Sequence, residues 1–291
     1  MSDVEVVLDA RAELGEGPLW DPEAGRLLWV DILAGAVHTL DPATGEDEVF
    51  DVGGPVGVVR RRAAGGLVAA TEHGFAALDP EAGTVRPLAA LERPGGPWRF
   101  NDGACDPQGR FWAGTLAYDL SPEAASLYRL DADGTVARVL DSVTISNGIA
   151  WTKDGGTAFY IDSPMLRVDA FDFDPDRGWL SNRRTAVSVD VPAGAMPDGL
   201  TLDAEGGLWV ALYGGGAVRR YTPAGTLETE IAVPATNVTA CAFGGEDLAT
   251  LFITTARQEL SDDQLAAEPH AGAVFAVRPG VTGLPAHEYA G

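Results

Sequence analysis

The feature that most constrains the fold of this 291-residue chain is a repeat of roughly 40–50 residues. Each copy has an apolar strand, a turn containing Asp or Gly, and a second apolar strand, as in SNGIAWTKDGGTAFYIDS at residues 146–163. The phase-matched positions near the start of the first strand are Glu16, Val56, Asp102, Asn147, Asp198 and Thr239. A fixed period in this range is typical of propellers and solenoids.

The segments between the strands favour an all-β chain. Asp and Gly recur in DPEAG, DPATG, DADG and DAEGG, and both residues suit tight turns. Helical periodicity is nearly absent, and SDDQLAAE offers a turn or two at most. Six repeats of about four strands each account for the length, so we predict a single six-bladed β-propeller domain over residues 1–291. The alternative, an all-β sandwich, would not explain six in-phase copies.

Charge and hydropathy restrict the partners that we expect. The formal net charge is −23, from 43 acidic and 20 basic residues, and such a surface repels phosphate backbones and anionic lipid. No apolar run approaches the ~18 residues of a membrane span, and the N-terminal MSDVEVVLDARAEL has acids where a signal peptide needs positive charge. We therefore expect a cytoplasmic protein that binds neither nucleic acid nor membrane, while its oligomeric state is unknown from sequence.

The repeat also predicts a cluster of oxygen donors on the propeller axis. The innermost strand of each blade lines the channel, so the predicted ring holds Glu16, Val56, Asn101 with Asp102, Asn147, Asp198 and Thr239. Gathered carboxylates repel each other unless a cation joins them. Oxygen donors without Cys or His suit Ca²⁺, Mg²⁺ or Mn²⁺ and do not exclude Zn²⁺ or Fe²⁺. Because the protein supplies few ligands, positions stay open for water or substrate, which is typical of a catalytic metal.

Five co-linear motifs extend over nearly the whole chain: LGEGPLW, RFNDGACDPQGRFWAGT, SNGIAW, PDGLTLDAEGGLWVALYGGG and FITTAR. Together they resemble the regucalcin/gluconolactonase (senescence marker protein) family of sugar lactonases. The resemblance implies a six-bladed propeller with one divalent metal ion at the axis. It further implies that Glu16, Asn147 and Asp198 are the metal ligands, and that Asp198 is also the catalytic acid/base.

The same resemblance implies a substrate-binding set. By this likeness, Arg99 and Asn101 of RFND bind the substrate, and Asp119 stands where the family often has a Glu that bonds sugar hydroxyls. Many relatives carry two adjacent acids at this point, and Tyr118 replaces the first of them here.

These observations predict a metal-dependent hydrolase that opens a sugar-derived lactone, similar to gluconolactone, xylonolactone or arabinonolactone, to the aldonic acid. The first candidate metal is Ca²⁺, and the expected partner is the small-molecule lactone. The chain has no G-x-S-x-G elbow, no H-E-x-x-H and no phosphate loop. The alternatives are an organophosphate or phosphotriester hydrolase, and a non-catalytic propeller that binds calcium or docks a protein. A docking propeller does not need the ring of oxygen donors, so these residues favour the enzyme.

Overall fold

The computed structural model describes residues 3–91 and 97–291. Its strands form six antiparallel sheets of four strands each. The six sheets are the blades of a propeller, so the predicted all-β, six-bladed fold is confirmed.

Each of the first five blades is built from consecutive strands. The first blade consists of β2 (Gly15–Asp21), β3 (Arg26–Asp31), β4 (Ala36–Leu40) and β5 (Asp47–Asp51). The second consists of β6 (Val56–Arg61), β7 (Leu67–Thr71), β8 (Gly74–Asp79) and β9 (Thr84–Ala90). The third consists of β10 (Trp98–Cys105), β11 (Phe111–Ala117), β12 (Ala125–Leu130) and β13 (Val136–Val143). The fourth consists of β14 (Ser146–Trp151), β15 (Thr157–Asp162), β16 (Arg167–Asp174) and β17 (Trp179–Ser188). The fifth consists of β18 (Met196–Leu202), β19 (Leu208–Tyr213), β20 (Ala217–Tyr221) and β21 (Leu227–Ala232).

The sixth blade joins the two ends of the chain. It consists of β22 (Asn237–Gly244), β23 (Thr250–Ala256), β24 (Val274–Val277) and the N-terminal strand β1 (Glu5–Leu8). Strand β1 pairs antiparallel with β24, and each innermost strand contacts the next until β22 contacts β2. The propeller is therefore a closed ring around a central channel, a closure that the repeat pattern did not reveal.

The hydrophobic core lies between neighbouring blades. Ile161 of the fourth blade and Val210 of the fifth, for example, are fully buried in one hydrophobic cluster. Ile253 and Phe275 of the sixth blade are buried in a cluster that also contains Trp209 of the fifth. Each blade is thus stabilised by burying apolar surface against the next one.

A β-bulge interrupts the innermost strand of every blade at an equivalent point. Glycines beside these bulges allow the innermost strands to approach closely. A Cβ atom on Gly148 would lie 2.4 Å from the Cβ of Leu200, and one on Gly199 would lie 2.6 Å from the Cβ of Ala240. Because bulges redirect side chains, Asn-Gly and Asp-Gly pairs combine close packing of blades with a polar group at the channel.

Among the described residues, helical structure is confined to short connections. A 3-10 turn spans Ser163–Met165 after β15, and α1 (Asp262–Ala267) lies between β23 and β24. Across residues 3–91 and 97–291, no helix has the length and hydropathy that a membrane-spanning helix requires.

Candidate functional site

A cavity of about 260 Å³ opens at the end of the channel where the innermost strands begin. Its buried polar residues come from four blades: Glu16, Arg99, Asn101, Asn147, Ser163 and Asp198. The structure therefore brings together all the predicted site residues except Asp119.

Two aspartates, in equivalent positions of the first and fourth blades, bind the backbone just before Glu16 and Asn147. Asp31, at the end of β3, accepts hydrogen bonds from the last two backbone N–H groups before β2, at 2.8 and 3.1 Å. Asp162, at the end of β15, does the same for the last two N–H groups before β14, at 3.2 and 2.9 Å. Glu16 and Asn147 are the second residues of β2 and β14. Charge-assisted hydrogen bonds of this kind are strong, so they position both side chains at the mouth of the channel.

A chain of hydrogen bonds orients the two carboxamides. The Arg99 Nη1 donates to Asn101 Oδ1 at 2.6 Å, and Asn101 Nδ2 donates to Asn147 Oδ1 at 2.9 Å. Asn147 Nδ2 in turn donates to Ser163 Oγ at 2.7 Å. An amide oxygen has two lone pairs, so Asn147 Oδ1 can still accept one further ligand.

The two buried carboxyl groups of the cavity are unfavourable as isolated charges. Burial, with a contribution from the negative charge of Asp102, raises the pKa of Glu16 to about 8. Burial, followed by the charges of Glu16 and Asp102, raises the pKa of Asp198 well above its ordinary value. Gly17 N–H donates to Glu16 Oε2 at 2.9 Å, and the positive charge of Arg99 opposes the rise in the pKa of Asp198. A nearby cation would favour the ionised form of both groups.

The donor set fits one divalent metal ion. Glu16 and Asp198 supply carboxylate oxygens and Asn147 supplies an amide oxygen, which is the ligand type that Ca²⁺ and Mg²⁺ prefer. In the part of the chain that the structure describes, no group of three or more His, Cys, Asp or Glu side chains could hold a metal. A metal site in this cavity therefore needs the Asn147 amide oxygen as a third ligand beside the two carboxylates.

The predicted ring divides between the two ends of the channel. Asp102 lines a separate cavity of about 140 Å³ together with Arg60. Its Oδ1 lies 4.0 Å from Arg60 Nη2, and Arg60 Nη1 donates to the carbonyl oxygens of Gly17 (3.2 Å) and Val59 (2.7 Å). Asn101 and Asp102 are adjacent in the sequence, and their side chains line different cavities.

The side chains at the other two ring positions, Val56 and Thr239, are not placed to bind a metal ion in this cavity. Val56 is fully buried in an apolar cluster. The Thr239 hydroxyl donates to the Gly15 carbonyl oxygen at 2.5 Å, which joins the sixth blade to the first. Both residues are structural in this geometry.

Asp119 lies on the exposed side of the loop after β11. Its carboxylate accepts hydrogen bonds from Ser121 Oγ at 2.7 Å and Ser121 N at 3.1 Å, which lower the pKa of Asp119. Its neighbours Tyr118 and Leu120 line the cavity instead. The substrate-binding role of Asp119 stays a prediction without support from this geometry.

Sequence reasoning missed several lining residues. Ser163, which accepts the hydrogen bond from Asn147, follows directly after Asp162 and was hidden in the run FYIDS. Leu33, Leu116, Leu120, Ile145 and Met196 also line the cavity and have no sequence signature that separates them from core residues.

We expect the metal-free protein to lose stability as the pH rises from about 5 to about 8. Glu16 ionises near 4.5 in an unfolded chain but near 8 in the folded protein, so the unfolded state releases its proton first and is favoured as the pH rises. The stabilising contribution is complete below pH 4.5 and is lost as the pH passes through about 8. One proton corresponds to a slope of up to about 1.4 kcal/mol per pH unit.

Melting temperatures measured in chelator between pH 5 and pH 8 check this expectation. Glu16→Gln should flatten the decline, whereas a Gln at the exposed Glu48 should leave it unchanged. Equal slopes in all three proteins would show that the Glu16 carboxyl is not penalised by burial.

The cavity lies in a part of the chain that is similar to known proteins. A family model described as the SMP-30/Gluconolactonase/LRE-like region matches residues 14–257. Regucalcin of Danio rerio is 40% identical over 293 residues, which cover 99% of this chain and 98% of the relative. A Bacillus subtilis (strain 168) protein with the provisional name sugar lactone lactonase YvrE is 37% identical over 290 residues, 99% of both chains. The crystal structure of a calcium-binding protein, regucalcin, from Agrobacterium tumefaciens str. C58 matches with a TM-score of 0.93 at 30% identity, over 99% of this chain and 97% of that one. The six buried polar residues of the cavity lie inside the matched range, and Gln258 and Glu259 follow directly after it.

Proposed function

Because the chain belongs to the SMP-30/gluconolactonase/LRE-like family, we propose that it hydrolyses a sugar-derived lactone to the aldonic acid with one divalent metal ion. The observation that carries the proposal is the convergence of two buried carboxylates, one amide oxygen and one buried guanidinium on a single cavity. Perturbed titratable groups in a cleft are typical of active sites. The name of the Bacillus subtilis relative supports a lactone as the substrate.

Glu16, Asn147 and Asp198 would hold the metal ion. When bound, a divalent ion supplies Lewis acidity toward a carbonyl oxygen and lowers the pKa of water. Ca²⁺ is the first candidate because all three donors are oxygens, and because a similar structure is named a calcium-binding protein. Mg²⁺, Mn²⁺, Zn²⁺ and Fe²⁺ are the other ions to test.

Asp198 would transfer the proton. Its carboxylate accepts a proton from the water that attacks the lactone carbonyl carbon, and the resulting carboxylic acid donates that proton to the ring oxygen as the C–O bond breaks. One water molecule is added, and the product is a hydroxy acid. Burial raises the pKa of Asp198 in the metal-free protein, and a bound cation would favour its ionised form, which is the form that accepts a proton.

Arg99 and Asn101 would orient the lactone. Arg99 is 5% exposed, and its guanidinium group can donate several hydrogen bonds in a fixed plane to ester or hydroxyl oxygens. Asn101 is held by Arg99 and by the Ser146 carbonyl oxygen, which accepts from Asn101 Nδ2 at 2.9 Å. Groups held in place before the substrate binds lower the cost of orienting it.

A panel of lactones tests this function on chelator-treated protein to which one ion at a time is restored. We expect aldonolactones of five or six carbons to be opened much faster than butyrolactone, because unpaired polar groups of the site penalise a substrate without hydroxyls. Glu16→Gln and Asn147→Ala should each weaken metal binding at least tenfold by calorimetry, since loss of an outer partner alone costs about 10–100-fold. Glu48→Gln, which changes an exposed charge on β5, is the control.

Three outcomes would contradict the proposal in different ways. Metal content and turnover that survive in both Glu16→Gln and Asn147→Ala would show that the metal is held elsewhere. Activity confined to phosphotriesters would identify the protein as the alternative enzyme, a phosphotriester hydrolase. Metal binding without turnover of any substrate in the panel would favour a non-catalytic calcium-binding propeller.

A further inference from the structure

One side of the cavity is formed mainly by apolar side chains. Leu116, Tyr118, Leu120 and Ile145 line it, and the backbones of Leu116 and Ile145 are joined by an isolated β-bridge. These four residues, which we name the apolar wall, extend from the buried Leu116 to Tyr118 and Leu120, which are 47% and 44% exposed. The polar groups nearer to solvent, Gln258 and Glu259, come from the sixth-blade side.

Leu120 is unfavourable for the fold in two respects. Its φ of 54° lies in the left-handed region, where Gly or Asn is preferred to leucine, and nearly half of this apolar residue is exposed to water. The turn does not require leucine, because the hydrogen bond from Leu120 N to Ala117 O at 2.9 Å uses only the backbone. Residues in strained backbone conformations concentrate at ligand sites, and this side chain lies at the cavity.

The only acid of the loop segment 118–121 is turned away from the ligand space. The Asp119 carboxylate is occupied by Ser121 and lies outside the cavity lining. The Tyr118 hydroxyl is the one side-chain hydrogen-bonding group among the four residues of the apolar wall. A hydroxyl group of a substrate that is placed against Leu116, Leu120 and Ile145 therefore finds only hydrocarbon. Such a hydroxyl loses hydrogen bonds to water without replacement, whereas a methyl group gains by burial.

From this geometry we infer that the apolar wall binds an apolar substituent of the lactone, so that the preferred substrate is a deoxy sugar lactone with a terminal methyl group in place of the hydroxymethyl group. The inference rests on the proposed lactonase function and concerns the end of the substrate remote from the carbonyl. Arg99, Asn101 and Asp198 would still act on the lactone ring at the buried end of the cavity.

Matched pairs of lactones test the inference on the metal-loaded protein. One pair is L-mannono-1,4-lactone and L-rhamnono-1,4-lactone, and the other is D-galactono-1,4-lactone and D-fucono-1,4-lactone. Within each pair the two compounds differ only in the terminal hydroxyl group, and the pairs differ in ring stereochemistry. We expect kcat/KM to be about tenfold higher for the deoxy compound in at least one pair, the lower end of the range for a small change against an apolar surface.

The variant Leu120→Asn tests whether the apolar wall causes the preference for the deoxy lactone. Asn accepts the left-handed backbone and adds a carboxamide, so the ratio of kcat/KM within the pair should fall to about threefold or less, mainly through a higher KM for the deoxy lactone. Leu248→Asn is the matched control. Leu248 has a φ of 52°, and its N–H donates to Gly245 O at 3.1 Å in the same kind of turn, but it lies away from this cavity. This control should keep the wild-type ratio, and thermal melts show whether both variants fold.

The outcomes separate the inference from the function on which it rests. A ratio of one or lower in both pairs, or a ratio that Leu120→Asn leaves unchanged, would overturn the inference while the hydrolysis of both lactones still supports the proposed function. Failure to hydrolyse any lactone would overturn both.

Discussion

Asp198→Asn should lower kcat for the best lactone by roughly 10²–10⁴-fold, the usual contribution of a general acid/base, in a protein that still folds. The carboxamide has the same shape as the carboxyl group but cannot accept the proton of the attacking water. Because burial penalises the ionised Asp198, the metal-free variant should be as stable as the wild type or more stable. The measurements are steady-state kinetics with metal and thermal melting in chelator.

Asp203→Asn provides the contrasting control in the same blade. Asp203 is fully buried, and its Oδ2 accepts hydrogen bonds from Trp209 Nε1 at 2.9 Å and Arg220 Nε at 2.7 Å. This substitution should reduce the free energy of unfolding by about 1–3 kcal/mol and leave kcat of the folded protein nearly unchanged. If Asp198→Asn instead retained most of its turnover, the proton would be transferred by another group.

Arg60→Leu should reduce the free energy of unfolding by about 3–5 kcal/mol, which is typical for removing one partner of a buried charge pair. The loss leaves Asp102 buried without its cation, and the carbonyl oxygens of Gly17 and Gly103 lose their Arg60 donors. Arg60 therefore ties the first, second and third blades together behind the candidate site. Urea denaturation in chelator measures the effect.

Two further variants identify the cause of that loss. Arg60→Leu combined with Asp102→Leu should recover part of the stability, because the uncompensated charge is removed. Arg184→Leu breaks an ion pair of 2.7 Å with Asp172, but both side chains are about half exposed, so its cost should stay below about 1 kcal/mol. Equal losses in the free energy of unfolding for Arg60→Leu and Arg184→Leu would mean that the burial of the Arg60–Asp102 pair does not increase its contribution to stability.

Much of the candidate site could be predicted from the repeat alone. All innermost strands begin at the same end of the channel, so the backbones of residues of equal phase lie around the axis at a similar height. This is why Glu16, Asn147 and Asp198, far apart in the chain, line one cavity as expected. The same reasoning led to the six blades, because only six in-phase copies account for the length.

The period does not specify the direction of each side chain. Asn101 and Asp102 share one phase to within a residue, yet a bulge in β10 and the alternation of a strand send them to different cavities. Val56 and Thr239 occupy ring positions, but their side chains serve the packing between blades. Sequence phase locates a residue along a strand, and only pairing and register decide which way it faces.

The loops show most clearly which features a local sequence pattern predicts and which depend on the folded chain. The propeller, the polar residues of the innermost strands and the family could all be predicted before the fold was known, because each follows from a periodic pattern or a motif of consecutive residues. Three features became visible only in the folded chain: β1 completes the sixth blade, Asp119 binds Ser121 outside the cavity, and Leu120 lines the cavity. Those features depend on contacts between distant segments and on backbone angles of single loop residues, which no local pattern encodes.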